Sequence, residues 1–557
     1  MNVCVDLSRY VGDHYPFAEL QGVTPKSSEA WCDALACLAA VGDGSTPTPL
    51  VLDGKGRLYL YRYYLFQKEV AQFMLKKAAQ KGPNTSEINA LSQGLQRLFP
   101  SQEFCFSEPD HQKRAAAVAL TRKLTIIAGG PGTGKTTTVS KILALYVERY
   151  LADYQRLPRI VLAAPTGKAA ARLMESMRSA AERLKGSVSA EVIDALPREA
   201  STIHRILAGF GRGKSPFEPE ETLGCELLVV DEASMVDLPL MGRLCRVIAP
   251  ETHVIFMGDR NQLASVEAGS VLGDLCHGKR GERVSLSCGA LLEELTESAP
   301  QTDIEASPLA DAVTTLVKSY RFGKRPGIGD AADASNRGDA QALARVDSAG
   351  FSWMKAETAS EGLDILRPLI KTYFQGYMKA STAEERLDIL DRFRILCAVR
   401  KGPLGVRRLN AFVERLLGVG EGLWYSGRPV MVTENDYTLS LFNGDTGVTI
   451  REKGEPVVAF PEEGGGMRTI HPARLPSVET VFAMTVHKSQ GSEFDHVALV
   501  LPEIDTPLLS RELIYTGLTR AKEEALLLGS TDSVEKGLKR RTRRASGLQE
   551  LLWASPV

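Results

Sequence analysis

A glycine-rich segment at residues 129–136 has the spacing of a phosphate-binding loop. It reads Gly-Gly-Pro-Gly-Thr-Gly-Lys-Thr, follows an apolar run at 124–128 and precedes a helix-like stretch at 137–146. Glycines permit positive φ and close backbone approach, so successive N–H groups can surround an anion at a helix N-terminus. The flanking strand and helix argue against a chance glycine-rich turn. The predicted nucleotide-binding residues are Gly129, Gly130, Pro131, Gly132, Thr133, Gly134, Lys135, Thr136 and Thr137.

Three side chains at or near this loop could act on a nucleotide. Lys135 would reach the β and γ phosphates of ATP, and the Thr136 hydroxyl would ligate Mg²⁺. Upstream, Gln112 could donate one hydrogen bond to the adenine edge and accept another, which would favour ATP over GTP. A glutamine alone is a weak signal, because an exposed glutamine is usually just solvated.

Two carboxylates, Asp231 and Glu232, directly follow the apolar run at 227–230. Beside a phosphate loop, Asp231 would hold Mg²⁺ through water, while Glu232 would orient and deprotonate the attacking water. Paired acids at a strand end are usually a solvated loop or a helix N-cap. Their position after a phosphate loop in an α/β chain favours the catalytic interpretation.

Short apolar runs alternate with helix-like stretches from residue 121 onward. They lie at 124–128, 160–164, 227–230 and 254–257, and again at 395–399, 482–486, 497–501 and 526–528. Runs that are apolar on both faces and separated by helices are typical of a buried parallel sheet. We therefore expect an α/β fold with two P-loop NTPase lobes, a first lobe at 106–310 and a second at 311–557.

Three further segments interrupt or precede this pattern. Residues 1–105 carry no catalytic motif; a hairpin at 50–61 and an amphipathic helix at 67–81 indicate a separate small α+β domain. Its tyrosine-rich stretch at 58–64 is a candidate partner-docking surface, although a buried hairpin would look the same. Residues 278–311 read as a loop-rich insert. Strand and turn signals at about 417–478 predict a small β-barrel inserted in the second lobe.

Composition limits the classes of function. The 557 residues carry a formal net charge of −1, so nucleic-acid binding would require a local groove or a partner chain. The nine cysteines are scattered without C-x-x-C or zinc spacing, which fits free thiols in a reducing cytoplasm. The N-terminus has neither a basic leader nor an apolar core, and no stretch reaches the ~18 apolar residues of a membrane span. We expect a soluble cytoplasmic protein.

Six further blocks accompany the phosphate loop and the 231–237 segment. Together, in this order, they resemble the motif series of superfamily 1B helicases with two RecA-like lobes, and their wording is closest to the RecD family. The resemblance covers about 110–557 and is most specific at 231–237 and 483–494. The blocks are 164–173, 201–205, 258–263, 319–322, 483–494 and 515–521.

The resemblance implies roles for residues from both lobes. Gln262 would sense the γ-phosphate from the first lobe, while Arg321 and Arg520 would reach it from the second as arginine fingers. Single-stranded DNA would follow a track that contacts backbone phosphates with little sequence preference. The implied DNA-binding residues are Pro165, Thr166, Lys168, Thr202, His204, Thr485, His487 and Lys488. In this family the insert at 417–478 would be SH3-like.

The resulting hypothesis is an ATP- and Mg²⁺-dependent 5′-to-3′ DNA helicase subunit. It would act on DNA ends in double-strand-break repair by homologous recombination, with RecB-like and RecC-like partner chains. Two alternatives stay open: a stand-alone RecD2-type helicase, and a scaffold whose ATP site only regulates assembly. A scaffold has no need of Lys135, Glu232, Arg321 and Arg520 together. The sequence shows no further acidic cluster with a lysine at the spacing of a nuclease metal site. Nuclease activity would therefore belong to another chain.

Overall fold

The computed structural model describes residues 1–11, 27–80, 88–100, 110–210, 222–277, 283–419, 422–436, 438–462, 465–542 and 544–553. No helix within these ranges is long and apolar enough to cross a membrane. Of the eight cysteines they contain, six are buried and all are free thiols, as the sequence predicts. Cys105 lies outside the described residues.

The N-terminal part is a four-stranded sheet with helices packed beside it. Its elements are β1 (Cys4–Asp6), α1 (Ser28–Ala36), β2 (Val41–Gly42), β3 (Leu50–Leu52), β4 (Arg57–Leu60), α2 (Tyr61–Ala78) and α3 (Ile88–Leu98). The sheet order is β1-β4-β3-β2, and β3 pairs antiparallel with β4. The predicted hairpin is therefore confirmed. The following helix begins at Tyr61, six residues before its predicted start, and the predicted end at Lys81 lies outside the described residues.

The N-terminal part shares an apolar core with the first lobe, and its division from that lobe at residue 105 stays a prediction. Tyr59, Val70 and Met74 are fully buried in one apolar cluster with first-lobe residues such as Leu228 and Phe256. Because the core is shared, this part covers one face of the first lobe. The predicted boundary near 105 lies outside the described residues.

The first lobe is a six-stranded, wholly parallel sheet between two layers of helices. Its strands are almost entirely buried apolar residues, as a sheet covered on both faces requires. Its elements are α4 (His111–Thr121), β5 (Leu124–Gly129), α5 (Lys135–Tyr154), β6 (Ile160–Ala164), α6 (Gly167–Leu184), α7 (Ala190–Ala195), β7 (Ala200–Thr202), α8 (Ile203–Ala208), β8 (Leu227–Val230), α9 (Leu238–Val247), β9 (His253–Gly258), α10 (Val271–Leu275), α11 (Leu286–Thr296) and β10 (Val313–Leu316).

The sheet order β10-β5-β9-β8-β6-β7 confirms the four predicted strands and adds β7 and β10. β10 pairs in parallel with β5, so the first sheet ends at Leu316 rather than at the predicted boundary of 310. The 278–311 segment is also not simply a loop. It contains α11, whose buried residues Cys288, Leu292 and Leu295 pack on the first lobe. These two strands escaped prediction because they are only three and four residues long and include Ser or Thr, so they show little apolar periodicity.

The second lobe begins after a short linker. Its first elements are α12 (Pro326–Arg337), α13 (Ala340–Ala344), β11 (Phe351–Met354), α14 (Ala359–Phe374), α15 (Ala383–Arg392), β12 (Phe393–Cys397) and α16 (Val406–Leu417). An antiparallel five-stranded insert follows, with order β16-β15-β14-β13-β17. Its strands are β13 (Pro429–Val432), β14 (Thr446–Glu452), β15 (Glu455–Pro461), β16 (Met467–Ile470) and β17 (Val478–Thr480).

The remaining elements complete the second sheet and return the chain to the first lobe. They are β18 (Ala483–Thr485), β19 (Phe494–Val500), α17 (Arg511–Leu518), β20 (Ala521–Leu528), α18 (Thr531–Lys539) and α19 (Leu548–Trp553). The second sheet is parallel throughout, in the order β11-β20-β19-β12-β18. Leu548, Leu552 and Trp553 of α19 are buried in the first-lobe cluster, so the second lobe does not extend to the predicted residue 557.

Candidate ATP site and nucleic-acid track

The glycine-rich loop joins β5 to α5 in the predicted strand–loop–helix arrangement. Gly132 and Gly134 have φ of 74° and 81°, a conformation that a side chain would strain. The Lys135 amine donates to the carbonyls of Gly129 (2.7 Å) and Gly130 (3.1 Å), which holds it across the loop. The Gln112 amide donates to the Thr133 carbonyl at 3.0 Å. Gln112 therefore lies against the loop, and its role at an adenine edge stays a prediction.

The two predicted carboxylates lie at the carboxyl end of β8, next to the loop. Asp231 donates its backbone N–H to the Ala163 carbonyl of the neighbouring β6 at 2.9 Å. Burial, reinforced by the adjacent Glu232 carboxylate, raises the pKa of Asp231 to about 6, against the opposing effect of Lys135. Glu232 has φ 50°, an unusual conformation for a residue with a side chain. Such strain at a strand end is common in active sites.

Gln262 is buried at the cleft between the lobes. Its amide nitrogen donates to Asp259 Oδ2 at 3.2 Å, while its Oε1 has no hydrogen-bond partner in the described part of the chain. The Tyr515 hydroxyl of α17 donates to the same Asp259 oxygen at 2.8 Å. Leu263 is also bonded to the second lobe at both of its backbone groups. Its N–H donates to the Thr516 hydroxyl at 2.9 Å, and its carbonyl accepts from the Gln490 amide at 2.7 Å. Gln262 is therefore positioned by both lobes.

Arg321 belongs to a linker segment that is fastened to the glycine-rich loop. Tyr320 donates its N–H to the Gly132 carbonyl at 2.8 Å, and the Ser319 hydroxyl donates to the Pro131 carbonyl at 3.1 Å. A Cβ on Gly132 would lie 2.2 Å from Arg321 Cβ, so only glycine permits this approach. The Arg321 guanidinium forms an ion pair with Glu493, Nη1 to Oε1 at 2.7 Å.

Arg520 approaches the same cleft from the end of α17. It is buried and donates to the carbonyls of Thr516 and Ser492, both at 3.2 Å. Burial lowers its pKa from the ordinary arginine value, whereas Glu232 and Glu493 act in the opposite direction. An arginine stays protonated at neutral pH even so. Arg520 thus supplies a fixed positive charge within electrostatic reach of Glu232.

The residues present fit a magnesium nucleotide. Mg²⁺ in phosphoryl-transfer sites typically uses one or two carboxylates plus substrate phosphates, with water completing the shell. Thr136 at the start of α5 and Asp231 supply that donor set. No group of three or more His, Cys, Asp or Glu side chains in the described ranges is arranged as a self-sufficient metal cage. The metal role of these two residues stays a prediction.

The predicted DNA-contacting residues fall into one group on each lobe. In the first lobe, the Thr166 and Thr202 hydroxyls cap the N-termini of α6 and α8. The Lys168 side chain has Asp391 and Asp445 of the second lobe nearby, although burial is the main cause that lowers its pKa. Pro165 is buried and places the Thr166 turn after β6.

The second-lobe group lies just beyond β18. The Thr485 hydroxyl accepts the Lys488 N–H at 3.3 Å, and the Lys488 amine is paired with Glu479 at 2.6 Å. Burial lowers the pKa of both His204 and His487. The Asp237 carboxylate interacts electrostatically with His204 and with Arg544. Arg544 also interacts electrostatically with His487. DNA contact by all of these residues stays a prediction.

Three residues of the cleft were not predicted from the sequence: Asp259, Glu493 and Tyr515. Each lies inside a motif block, but its partners come from segments distant in the chain. Asp259 receives hydrogen bonds from Gln262 and Tyr515, and Glu493 pairs with Arg321 and Arg172. The available signal was an acid or a phenol within a block that already carries a predicted site residue.

Comparison with known proteins decides the family. A protein described as RecBCD enzyme subunit RecD, from Mycolicibacterium smegmatis, is 38% identical over 99% of this chain and 91% of its own length. The chain belongs to the RecD family. The RecD of Haemophilus influenzae is 32% identical over 89% of the chain and 80% of its own length. An ATP-dependent RecD2 DNA helicase from Deinococcus radiodurans is 29% identical over 96% of the chain and 64% of its own length.

Family matches cover both sides of the cleft between the lobes. The AAA domain matches residues 112–268, the UvrD-like helicase C-terminal domain 480–528, and the RecBCD enzyme subunit RecD N-terminal domain 2–59. The prediction of an ATP-dependent DNA helicase is confirmed by these matches. A solved structure of Pif1 helicase from Bacteroides in complex with ADP-AlF3 and ssDNA aligns over 72% of this chain and 88% of its own, at 16% identity and a TM-score of 0.36.

Proposed function

We propose that the chain is the 5′-to-3′ DNA translocase of a heterotrimer with RecB-like and RecC-like chains, acting on DNA ends during double-strand-break repair in the cytoplasm. The observation that carries the catalytic part is the meeting of two lobes at one phosphate loop. The first lobe supplies Lys135, Asp231 and Glu232; Arg520 comes from the second lobe, and Arg321 from the linker between them. In this proposal, positive charge would lie on opposite sides of a bound triphosphate.

The proposed hydrolysis uses each of these groups in turn. Backbone N–H groups of the loop and Lys135 would bind the phosphates, and Mg²⁺ held at Thr136 and Asp231 would neutralise phosphate charge. Glu232 would accept a proton from the attacking water as general base. Arg321 and Arg520 would stabilise charge as it shifts on the transferring phosphate. Gln262, whose Oε1 is free of hydrogen bonds in the described structure, would report the γ-phosphate to the second lobe.

Translocation would follow from lobe movement. Asp259 and Leu263 of the first lobe are bonded to Tyr515, Thr516 and Gln490 of the second, so a change at the γ-phosphate is transmitted across the cleft. Each lobe carries its own part of the proposed DNA track. Alternate tightening of the two parts would move a single strand through the protein.

The subunit assignment rests on the extent of the relatives. The chain spans 91% and 80% of two RecD subunits, but 64% of the RecD2 helicase. This coverage favours the subunit over a stand-alone helicase. Intact catalytic groups at every position disfavour a regulatory scaffold. We further propose that the five-stranded insert is an SH3-like barrel. In support, β13 to β16 form an antiparallel meander, and the last strand, β17, pairs with the first, β13.

Co-expression and unwinding polarity test this proposal. The chain is produced with RecB-like and RecC-like chains of the same genome, purified through a tag on one partner, and given duplexes with a 5′ or a 3′ single-stranded tail. A RecB-type motor in the complex is inactivated so that unwinding reports this chain. We expect co-purification and unwinding from the 5′ tail. Unwinding from the 3′ tail alone would contradict the polarity, and failure to co-purify would contradict the heterotrimer.

A further inference from the structure

A single carboxylate, Glu493, connects the groups that should act on ATP. Its side chain is only 11% exposed and forms ion pairs with Arg321 and with Arg172. Arg172 belongs to α6 of the first lobe, whereas Glu493 directly precedes β19 of the second. The carboxylate therefore links three parts of the chain across the cleft, and one of its partners is a proposed arginine finger.

The Arg321 backbone is fixed by hydrogen bonds, whereas its guanidinium is held by an ion pair without a well-formed hydrogen bond at Nη1. Two hydrogen bonds attach residues 319 and 320 to the glycine-rich loop, and Gly132 lies directly against Arg321 Cβ. The side chain as a whole is 24% exposed, while Nη1, the atom that faces Glu493, is buried and makes no hydrogen bond of good geometry in the described part of the chain. A guanidinium on this anchor can reach either Glu493 or a phosphate bound at the loop, but it cannot give both its full charge.

Arg520 is held at the same turn. Its Nη1 donates to the carbonyl of Ser492, the residue before Glu493. Glu493 and Glu232 are the two carboxylates within its electrostatic reach. Burial by itself raises the pKa of Glu493. The nearby positive charges outweigh that effect and keep the pKa of Glu493 below the ordinary value; they are Arg321, Arg172 and Arg520. Glu493 is therefore an anion under assay conditions, as a γ-phosphate is.

We propose that Glu493 is a positioning residue that occupies the arginine fingers when no nucleotide is bound, and that the γ-phosphate of ATP must displace it. This inference rests on the proposed ATPase site. The displacement gives Glu493 two effects. It weakens the apparent affinity for ATP, because phosphate and carboxylate compete for the same guanidinium. It also lowers the DNA-free rate of hydrolysis, because the carboxylate and the reacting phosphate share Arg321, which is then paired with Glu493 for part of the time.

The test compares Glu493→Gln with wild type and with Glu414→Gln, a matched change of a hydrogen-bonded glutamate in the second lobe away from the cleft. Equilibrium binding of a fluorescent ATP analogue gives Kd, and steady-state hydrolysis with and without single-stranded DNA gives kcat and KM. We expect Glu493→Gln to lower Kd and KM about tenfold, since a charged competitor is removed. The DNA-free rate should rise, while DNA-stimulated kcat stays within a few-fold of wild type. Glu414→Gln should match wild type.

A second variant covers the case in which Glu493→Gln does not fold because two arginines lose their carboxylate. The double variant Arg172→Gln/Glu493→Gln also removes one of these positive charges. It should bind the fluorescent ATP analogue with the same lowered Kd. Glu493→Asp keeps the charge and should restore weak binding and a low DNA-free rate. Unchanged or weaker ATP-analogue binding by a folded Gln variant would overturn the inference. Wild-type hydrolysis in the same assay reports separately on the proposed function.

Discussion

Glu232 shows how local conformation serves chemistry at the scale of single residues. Its φ of 50° turns the chain directly after β8, and its N–H donates to Asp231 Oδ1 at 2.8 Å. The two neighbouring carboxylates consequently differ in hydrogen bonding. Asp231 accepts a backbone donor and is half-buried, which would suit the proposed metal-holding role, whereas Glu232 would stay available to take a proton.

Changing Glu232 to glutamine should stop the chemistry without abolishing binding. The amide keeps the shape of the side chain but cannot accept the proton, so turnover should fall by roughly 10²–10⁴. Affinity for ATP and Mg²⁺ should change only a few-fold. Pre-steady-state hydrolysis and equilibrium nucleotide binding measure the two quantities. Near-normal turnover would show that another residue activates the water.

The residues of the nucleotide site differ in how far the sequence can predict them. Lys135, Thr136, Asp231 and Glu232 are predictable because each belongs to a strand and a turn that are continuous in sequence. The pairing of Arg321 with Glu493 is not, because those residues are 172 positions apart and meet only when both lobes close on one loop. The motif blocks identify the residues of the site, whereas the tertiary structure determines which of these residues are in contact.

At the scale of elements, α2 is attached to the first lobe by a buried lysine. The Lys77 amine donates to the carbonyls of Ala249, Pro250 and Thr252, which follow the C-terminal end of α9, at 2.5–2.9 Å. The positive charge of Lys77 is favourable beside the C-terminal end of α9. Its amine also serves as a common hydrogen-bond donor for the three carbonyls. Burial lowers the pKa of Lys77 to about 8.

Lys77→Met should destabilise the protein by about 1–3 kcal/mol, because buried carbonyls lose their donor. The neighbouring Lys76 is exposed, so Lys76→Met is a matched control that should have little effect. The midpoint of thermal unfolding of the two variants, measured at pH 7, makes the comparison. Equal midpoints would show that the hydrogen bonds of Lys77 do not contribute to stability.

A second element-scale prediction concerns α10, where α19 closes the first lobe. The Trp553 indole donates to the Asp274 carbonyl at 2.9 Å, and Asp274 Oδ2 is buried with no hydrogen-bond partner in the described structure. Burial raises the pKa of Asp274 to about 7, above the ~3.9 of an unfolded aspartate. The folded protein thus holds a proton that the unfolded chain has released.

Stability should therefore fall as pH rises from about 4 to about 7 and level off above it, a change of about 1–3 kcal/mol for this group. Asp274→Asn lacks the ionisation and should remove that part of the pH dependence. Unfolding midpoints of both proteins across pH 5–8 provide the test. Parallel curves for wild type and variant would contradict the assignment.

Strand prediction at this scale succeeds where packing is simple. All eight predicted apolar runs correspond to strands of the two parallel sheets, because strands covered on both faces are apolar without interruption. The additional strands β7, β10 and β11 are three or four residues long. Their apolar runs are too short to distinguish from loops, so their positions depend on pairing with distant neighbours.

At the scale of the whole molecule, the N-terminal part and α19 make the first lobe larger than the sequence indicates. Val3 and Trp553, at opposite ends of the chain, are buried in the same cluster as the first sheet. A division predicted from the sequence falls where the motifs stop. In the folded protein, a segment belongs to the lobe whose apolar sheet face it covers. Removing residues 1–105 would uncover apolar surface of the motor. Partner docking through a separate domain at 1–105 stays a proposal.

The central claim is that ATP is hydrolysed at the cleft between the lobes and that DNA stimulates the reaction. DNA-stimulated ATPase activity of wild type, Lys135→Ala and Arg198→Ala tests it most directly; Arg198 is a surface residue whose side chain is 75% exposed. We expect single-stranded DNA to stimulate wild type and Arg198→Ala equally. Lys135→Ala should show no turnover while keeping its circular dichroism spectrum. Normal DNA-stimulated hydrolysis by Lys135→Ala would contradict the account.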